Sequence, residues 1–510
     1  MKEQKLIQYQ NLINWYDIKD NSRILIVGEF RKEVVEYLKQ KTSHISIVQN
    51  AANVTEIEND LILLKCTNKI EHTIKELLDA LNDEGKILLF ADNKIGVNNL
   101  TSINKEYKED DLFENDQLLS KKEIETMLKQ LQIENYKFYY ALPNYEIPNV
   151  IYTDRYLPKV GSSKLNYAPV YNDNRFVFYK ENKLLNELVN IDEFTNFVNS
   201  YIVEISKNNQ INDLKFISFN NMRKSKYSLI LKMHENFIEK ESTIDEAKEH
   251  ILNMKENIDK LNNIHINILD RYEENKIISK YIEGQTLEQK IYELLYSGNK
   301  EDTINLIDRW YNEFITKLRK TEEVVENKYN SELLKKYDSL NYTLDGFIDL
   351  VFENIMLTKN KELIAFDQEW YIECMPIEFI IYRALYNLYE RYPHLQKVIS
   401  QKELLNKYRI QDYVEDFKNV EKNIQNDILD RNIYSNIVYN DFNTFLKEMK
   451  RIENENKNLK EDVKWLQEQK NNEIKDKEYL IQVNKELTTK IASIESSKFY
   501  KIYKKLINRK

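Results

Sequence analysis

Two nearby stretches place carboxylate and amide side chains at a spacing suited to phosphoryl transfer. In Phe347-Ile348-Asp349-Leu350-Val351-Phe352-Glu353-Asn354-Ile355-Met356-Leu357, Asp349 and Asn354 stand five positions apart. That interval lets a loop carboxylate accept a hydroxyl proton while the amide oxygen reaches a magnesium ion. Leu363-Ile364-Ala365-Phe366 then reads as an apolar strand ending in Asp367, where a second carboxylate can reach a metal bridging the β- and γ-phosphates. Taken singly, each residue is also what an ordinary polar turn contains. Their order within some twenty residues points to a phosphotransferase metal site, with Asp349 as base and Asn354 and Asp367 as metal ligands.

Such a site needs a nucleotide-holding lobe upstream, and the sequence offers one. Phe197 to Ile205, Lys215 to Phe219, Tyr227 to Met233 and Asn236 to Lys240 read as strands, with Asn220-Asn221-Met222-Arg223-Lys224 as a polar turn. Antiparallel strands leading into a helix suit the smaller lobe of a kinase-type fold. Lys240 is placed to pair the α- and β-phosphates of ATP, and Glu246, opening the next helix, to hold that lysine by an ion pair. A solvated lysine at a strand end is the simpler account. There is no glycine-rich loop, so Asn220 to Lys226 must cover the phosphates. Further on, Ile277 to Ile282 runs into Glu283-Gly284, which reads as a hinge whose free backbone groups face an adenine edge. Thr286 is expected to cap the helix from Leu287. A strand, turn and helix without any ligand accounts for the same residues. A largely apolar helix follows from Pro376 to Leu385.

The chain has 510 residues, 31% of them charged, with a net charge of -9. That length allows two to four domains, and the acidic balance speaks against nucleic acid as a partner. Cys66 and Cys374 are the only cysteines, no signal-peptide pattern opens the chain, and no apolar run approaches the roughly 20 residues of a membrane span. These features point to a cytoplasmic protein, soluble or peripheral on the inner face of the membrane.

Residues 23 to 152 alternate short apolar runs with helical stretches, which predicts a mostly parallel, Rossmann-like sheet. The order resembles a class I S-adenosylmethionine-dependent methyltransferase of cell-surface polysaccharide clusters. The likeness is carried by Leu81 to Gly96, Ser120 to Leu131, Phe138 to Tyr145 and Pro148 to Tyr152. It implies that Gly28 and Gln49 lie at the cofactor site. The turn Val27-Gly28-Glu29-Phe30-Arg31 has a single glycine, and Gln49 stands where a carboxylate usually holds the ribose. The implied domain is therefore a degenerate one, with its sheet retained as scaffold.

The central half resembles the kinase-like domain that follows such methyltransferases, including kinase-methyltransferases that terminate O-antigen chains. Asn199 to Glu204, Asn221-Met222-Arg223, Glu246 to His250, Tyr281 to Gly284, Asp349 to Asn354 and Asp367-Gln368-Glu369-Trp370 carry the match. It implies Mg-ATP as donor and a glycan hydroxyl as acceptor. Phe347 stands where related phosphotransferases often have a histidine.

From 442 to 494 a heptad runs through Phe445, Ile452, Leu459, Leu466, Glu473, Leu480, Leu487 and Ile494, with a second row from Phe442 to Ile491. Self-association as a coiled coil is expected. A long helix folded back on the body is the alternative. The tail from Lys498 to Lys510 has cations and no acid, with Phe499, Ile502, Tyr503, Leu506 and Ile507 on one helical face, a composition drawn to anionic lipid.

The expected architecture is thus multidomain, α/β and α+β: a methyltransferase-like Rossmann domain (1–165), a bilobal kinase-like domain (166–425), a coiled coil (440–497) and a basic tail (498–510). The expected activity is phosphorylation of a lipid-linked or glycosyltransferase-bound saccharide in surface-glycan assembly. Two other readings stand beside it: methyl transfer from S-adenosylmethionine to a surface glycan, and a catalytically silent scaffold for glycosyltransferases.

Overall fold

The computed structural model describes residues 8–54, 58–67, 69–104, 117–160, 162–167, 175–208, 211–282, 284–430 and 442–507. Strands β1 (Ile24–Val27), β2 (Ile45–Val48), β3 (Asn59–Lys65) and β4 (Leu81–Asp92) pair in parallel in the order β2-β1-β3-β4, with helices α1 (Lys32–Lys41) and α2 (Ile70–Asp79) as crossovers. The runs Ile24–Val27 and Ile87–Ala91 are buried throughout. Parallel strands covered on both faces need such unbroken apolar runs. Helix α3 (Lys121–Gln130) starts on a reciprocal cap in which Ser120 and Glu123 satisfy each other's backbone N–H. Strands β5 (Tyr136–Leu142) and β6 (Val150–Thr153) then form an antiparallel pair.

The next strand corrects the sequence reading. Read as the opening strand of the kinase-like lobe, β7 (Ser200–Ser206) instead lies between β4 and β5, antiparallel to both. All seven of its residues are buried, so both of its faces are covered, and β4 and β5 take up its two edges. Its one charge, Glu204, accepts from Tyr139 Oη at 2.7 Å and Tyr16 Oη at 3.1 Å and lies 3.1 Å from Lys86 Nζ. A carboxylate can be buried only with partners of this kind.

The sheet continues without a break into the central half. Strand β8 (Phe216–Phe219) pairs with β6, Ile217 opposite Ile151, and is followed outward by β9 (Leu229–Met233) and β10 (Phe237–Ser242). Helix α4 (Lys248–Asn263) packs Ile251, Met254 and Ile258 against Leu229 and Ile277. Strands β11 (Asp270–Glu273) and β12 (Lys276–Lys280) complete a twelve-stranded sheet, β12 pairing with β10.

The chain then crosses to a helical region. Strand β13 (Gly284–Thr286) leaves the large sheet and pairs with β14 (Ile355–Thr358), which pairs in turn with β15 (Leu363–Ala365). Thr286 caps helix α5 (Leu287–Tyr296), as the sequence predicts, accepting from Gln289 N at 3.2 Å. Helices α6 (Lys300–Glu313), α7 (Ile377–Arg391) and α8 (Val414–Ile428) enclose a core of Trp310, Phe347, Phe352, Phe379, Tyr382 and Phe417. Truncating one of these aromatics to Ala costs about 3–5 kcal/mol.

The described residues 442–507 belong, with Phe176–Phe178, to a separate compact unit. It holds helix α9 (Phe442–Ser496, 55 residues) and helix α10 (Lys498–Ile507). Leu459, Leu466, Leu480, Leu487 and Ile494 are exposed along α9, and Phe499, Ile502 and Tyr503 along α10. No helix among the described residues is long and apolar enough to cross a membrane.

Candidate active site

The loop holding Asp349 and the segment after β15 are clasped together through Asn354. Its Nδ2 donates to the carbonyl of Asp349 at 3.2 Å and to that of Asp367 at 3.4 Å. Gln368 Nε2 donates to Asp349 O at 2.9 Å, and Phe366 N to Asn354 O at 3.0 Å. With its nitrogen so committed, the Asn354 amide presents its oxygen as the remaining polar atom. The loop approaches this closely only because Gly346 lacks a side chain, since a Cβ there would sit 1.7 Å from the carbonyl oxygen of Ile372.

Asp367 adopts a left-handed backbone (φ 57) and donates its N–H to Asp270 Oδ2 at 2.7 Å. Its carboxylate meets Lys240 Nζ and keeps 34% of its side chain exposed. Burial works against the Lys240 charge, but Asp367 and then Glu369 outweigh it and raise its pKa. Burial also raises the Asp270 carboxyl, against the pull of Ser279 and Lys240. Asp349 is buried; its Oδ2 accepts from Trp370 N at 2.9 Å and Glu369 N at 3.2 Å, and its Oδ1 lies 3.3 Å from Arg383 Nη1. Burial pushes its pKa up to about 6, with Arg383 opposing and Glu369 and Asp367 adding to the rise. A carboxylate near that value can take a proton at neutral pH.

The predicted partner of Lys240 is corrected. Glu246 lies in an exposed turn ahead of α4 and accepts from Ser225 Oγ at 2.9 Å, while Lys240 pairs with Asp367. The anion facing α4 is Glu369, whose carboxylate accepts from Arg223 Nη2 at 3.0 Å and His250 Nε2 at 3.0 Å. Burial opposes its charge, yet Arg223, Lys240 and His250 hold its pKa well below the usual carboxylate range. Sequence reasoning gave no role to Glu369, Arg223, His250, Asp270 or Arg383. Arg383 carried a usable signal, a cation inside the apolar run Phe379–Leu385 that has to be paired when buried; it bonds Glu421 at 2.8 Å as well as the Asp349 loop.

The hinge reading fares differently. Glu283 lies outside the described residues. A Cβ on Gly284 would sit 2.7 Å from Leu357 O, so pairing with β14 by itself requires glycine there.

Asp367 and the Asn354 amide together supply two oxygens for a magnesium ion. Mg²⁺ commonly takes one or two protein ligands and completes its shell from phosphates and water. No group of three or more His, Cys, Asp or Glu among the described residues could hold a metal unaided. The donor set therefore fits Mg²⁺ delivered with a nucleotide.

At the other end of the chain, Gly28 (φ 95) makes the turn after β1, and Gln49 follows β2. The carboxyl ends of β1, β3 and β4 are bridged by side chains: Glu146 lies 3.2 Å from both Arg31 Nη2 and Lys65 Nζ, and Tyr145 Oη lies 3.3 Å from Asp92. Phe30 packs edge-on against Phe90 at 5.5 Å. Burial and Glu146 push Asp92 up to about 6. Of the turn residues, Gly28 alone lacks a side chain and offers the close backbone approach that S-adenosylmethionine needs there.

No protein-family model matches the chain, and no curated protein matches it. Similar solved structures carry phosphotransferase and methyltransferase names. Choline kinase LicA from Streptococcus pneumoniae is 14% identical over 39% of this chain and 82% of its own, with a TM-score of 0.21. WbdD bound to a kinase inhibitor is 11% identical over 82% of this chain and 88% of its own, with a TM-score of 0.21. A TehB-like SAM-dependent methyltransferase from Corynebacterium glutamicum is 8% identical over 39% of this chain and 88% of its own, with a TM-score of 0.18. Scores this low do not establish a shared fold.

Proposed function

We propose that the central half is a kinase-like, magnesium-dependent phosphotransferase using ATP and acting on a saccharide hydroxyl in surface-glycan assembly. One observation carries this reading: Asn354 clasps the Asp349 and Asp367 loops together while Asp367 faces Lys240, so base, metal ligands and phosphate-binding cation converge. Asp349 accepts the proton as the acceptor oxygen bonds to the γ-phosphorus and the bond to the β-phosphate oxygen breaks. Lys240 would orient the α- and β-phosphates, and Asp367 with Asn354 would hold a Mg²⁺ ion, which would supply charge neutralisation at the phosphates. The saccharide is lipid-linked or presented by a glycosyltransferase, which is consistent with the cationic, amphipathic face of α10 resting on an anionic membrane surface. The exposed stripe of α9 supports self-association as a coiled coil.

Calorimetric titration with Mg-ATP tests the reading. Metal-dependent binding that is lost in Asp367→Ala supports it, and absence of binding in the unaltered protein overturns it. The scaffold reading draws on the same exposed stripe and gains if neither ATP nor S-adenosylmethionine binds. Methyl transfer, the remaining reading, predicts S-adenosylmethionine binding at Gly28 and Gln49.

A further inference from the structure

Three cations gather near Asp367, and two of them have carboxylate partners: Lys240 pairs with Asp367, and Arg223 with Glu369. The third is Lys164, in the short helical turn Ser163–Leu165 ahead of β7. Its Nζ donates to Ser218 Oγ at 2.8 Å, its one partner among the described residues, and the residue is exposed to solvent. Strand register fixes where that ammonium lies. Ser218 stands opposite Leu231, and Leu231 opposite Lys240, so the three side chains share one face of the sheet. At about 4.8 Å per strand, the Cα atoms of Ser218 and Lys240 are about 10 Å apart. Surrounding protein partly desolvates Lys164, and the charges of Arg223 and Lys240 add to this, so its pKa falls despite the nearby Asp367. A cation with no carboxylate of its own in ion-pair contact among the described residues, beside two others, favours an anion between them.

We propose that Lys164 is a second phosphate-binding lysine of the central site, gripping the polyphosphate of a nucleoside di- or triphosphate beside Lys240. This rests on the nucleotide reading of that site. Lys164 supplies charge where the turn Asn220 to Lys226 has no glycine-rich backbone cradle, and it arrives from the segment that follows the first part of the sheet.

The test is calorimetry on the full chain with Mg-ATP, Mg-ADP and, by displacement, adenosine, comparing the unaltered protein with Lys164→Met, Lys164→Arg and Lys240→Met. The expected result is a loss in Lys164→Met of roughly 10-fold or more in ATP affinity, the scale of a hydrogen bond to a charged group. Adenosine affinity and the unfolding midpoint should stay unchanged, and Lys164→Arg should recover much of the loss. If Lys164→Met binds ATP like the unaltered protein while Lys240→Met does not, the Lys164 proposal is wrong and the nucleotide site stands. Equal losses for ATP and adenosine mark Lys164 as merely structural and also overturn it. No nucleotide binding by the unaltered protein removes both.

Discussion

Lys240 and Asp367, 127 residues apart in sequence, meet in an ion pair that joins the large sheet to the segment after β15. In the site proposed above, that ammonium would meet a phosphate and that carboxylate a metal. Substituting Lys240→Met should weaken Mg-ATP binding by about 1.5–3 kcal/mol, or roughly 10- to 100-fold. Fluorescence titration with a labelled nucleotide measures this, and unchanged affinity would remove Lys240 from the site.

Asp349 gives a pH prediction. The proposed base must be ionised to accept a proton, and its carboxyl is pushed up to about 6. Turnover should therefore fall as pH drops through about 6, along the limb expected of one ionising base. Arg383 pulls that value down, so Arg383→Gln should move the limb to higher pH. A rate profile flat from pH 5 to 8 would exclude Asp349 as the base.

Glu369 bears on stability. Its folded-state pKa lies well below the unfolded one, so its contribution is present at neutral pH and is lost as pH falls below the ordinary glutamate range. Arg223→Ala leaves that buried carboxylate short of a partner and should cost about 3–5 kcal/mol at pH 7. Urea midpoints at pH 7 and pH 4 check both statements: the variant and the unaltered protein should lie closer together at pH 4.

Helix α9 should associate through its exposed heptad row. Leu459→Lys combined with Leu466→Lys is expected to reduce the sedimenting species to a single chain while leaving nucleotide binding unchanged. An unaltered protein that already sediments as one chain would rule out the coiled coil.

What could be read from the sequence was local. Asp349, Asn354 and Asp367 share one short stretch, so spacing alone brought them together, and Thr286 announced its helix in the same way. The partner of Lys240 was not legible, because a sheet register and a loop closure 127 residues later decide it. Glu369 and His250, 119 residues apart, stood in two separate stretches of the kinase-like resemblance, and nothing in the sequence showed that burial pairs them. Ser200–Ser206 was assigned to the wrong part of the sheet because a buried apolar strand looks the same wherever it inserts. Gly284 read as a ligand-facing hinge, although a neighbouring carbonyl already explains it.

The backbone ladder between Val150–Tyr152 and Phe216–Ser218 makes a practical demand on anyone dissecting the molecule. Cutting near residue 165 would strand β7 on the wrong fragment, leave a slot between β4 and β5, and bare the edges of β6 and β8. Exposed strand edges invite aggregation. The smallest piece worth expressing keeps residues 8–430 together, and it should melt as one cooperative block.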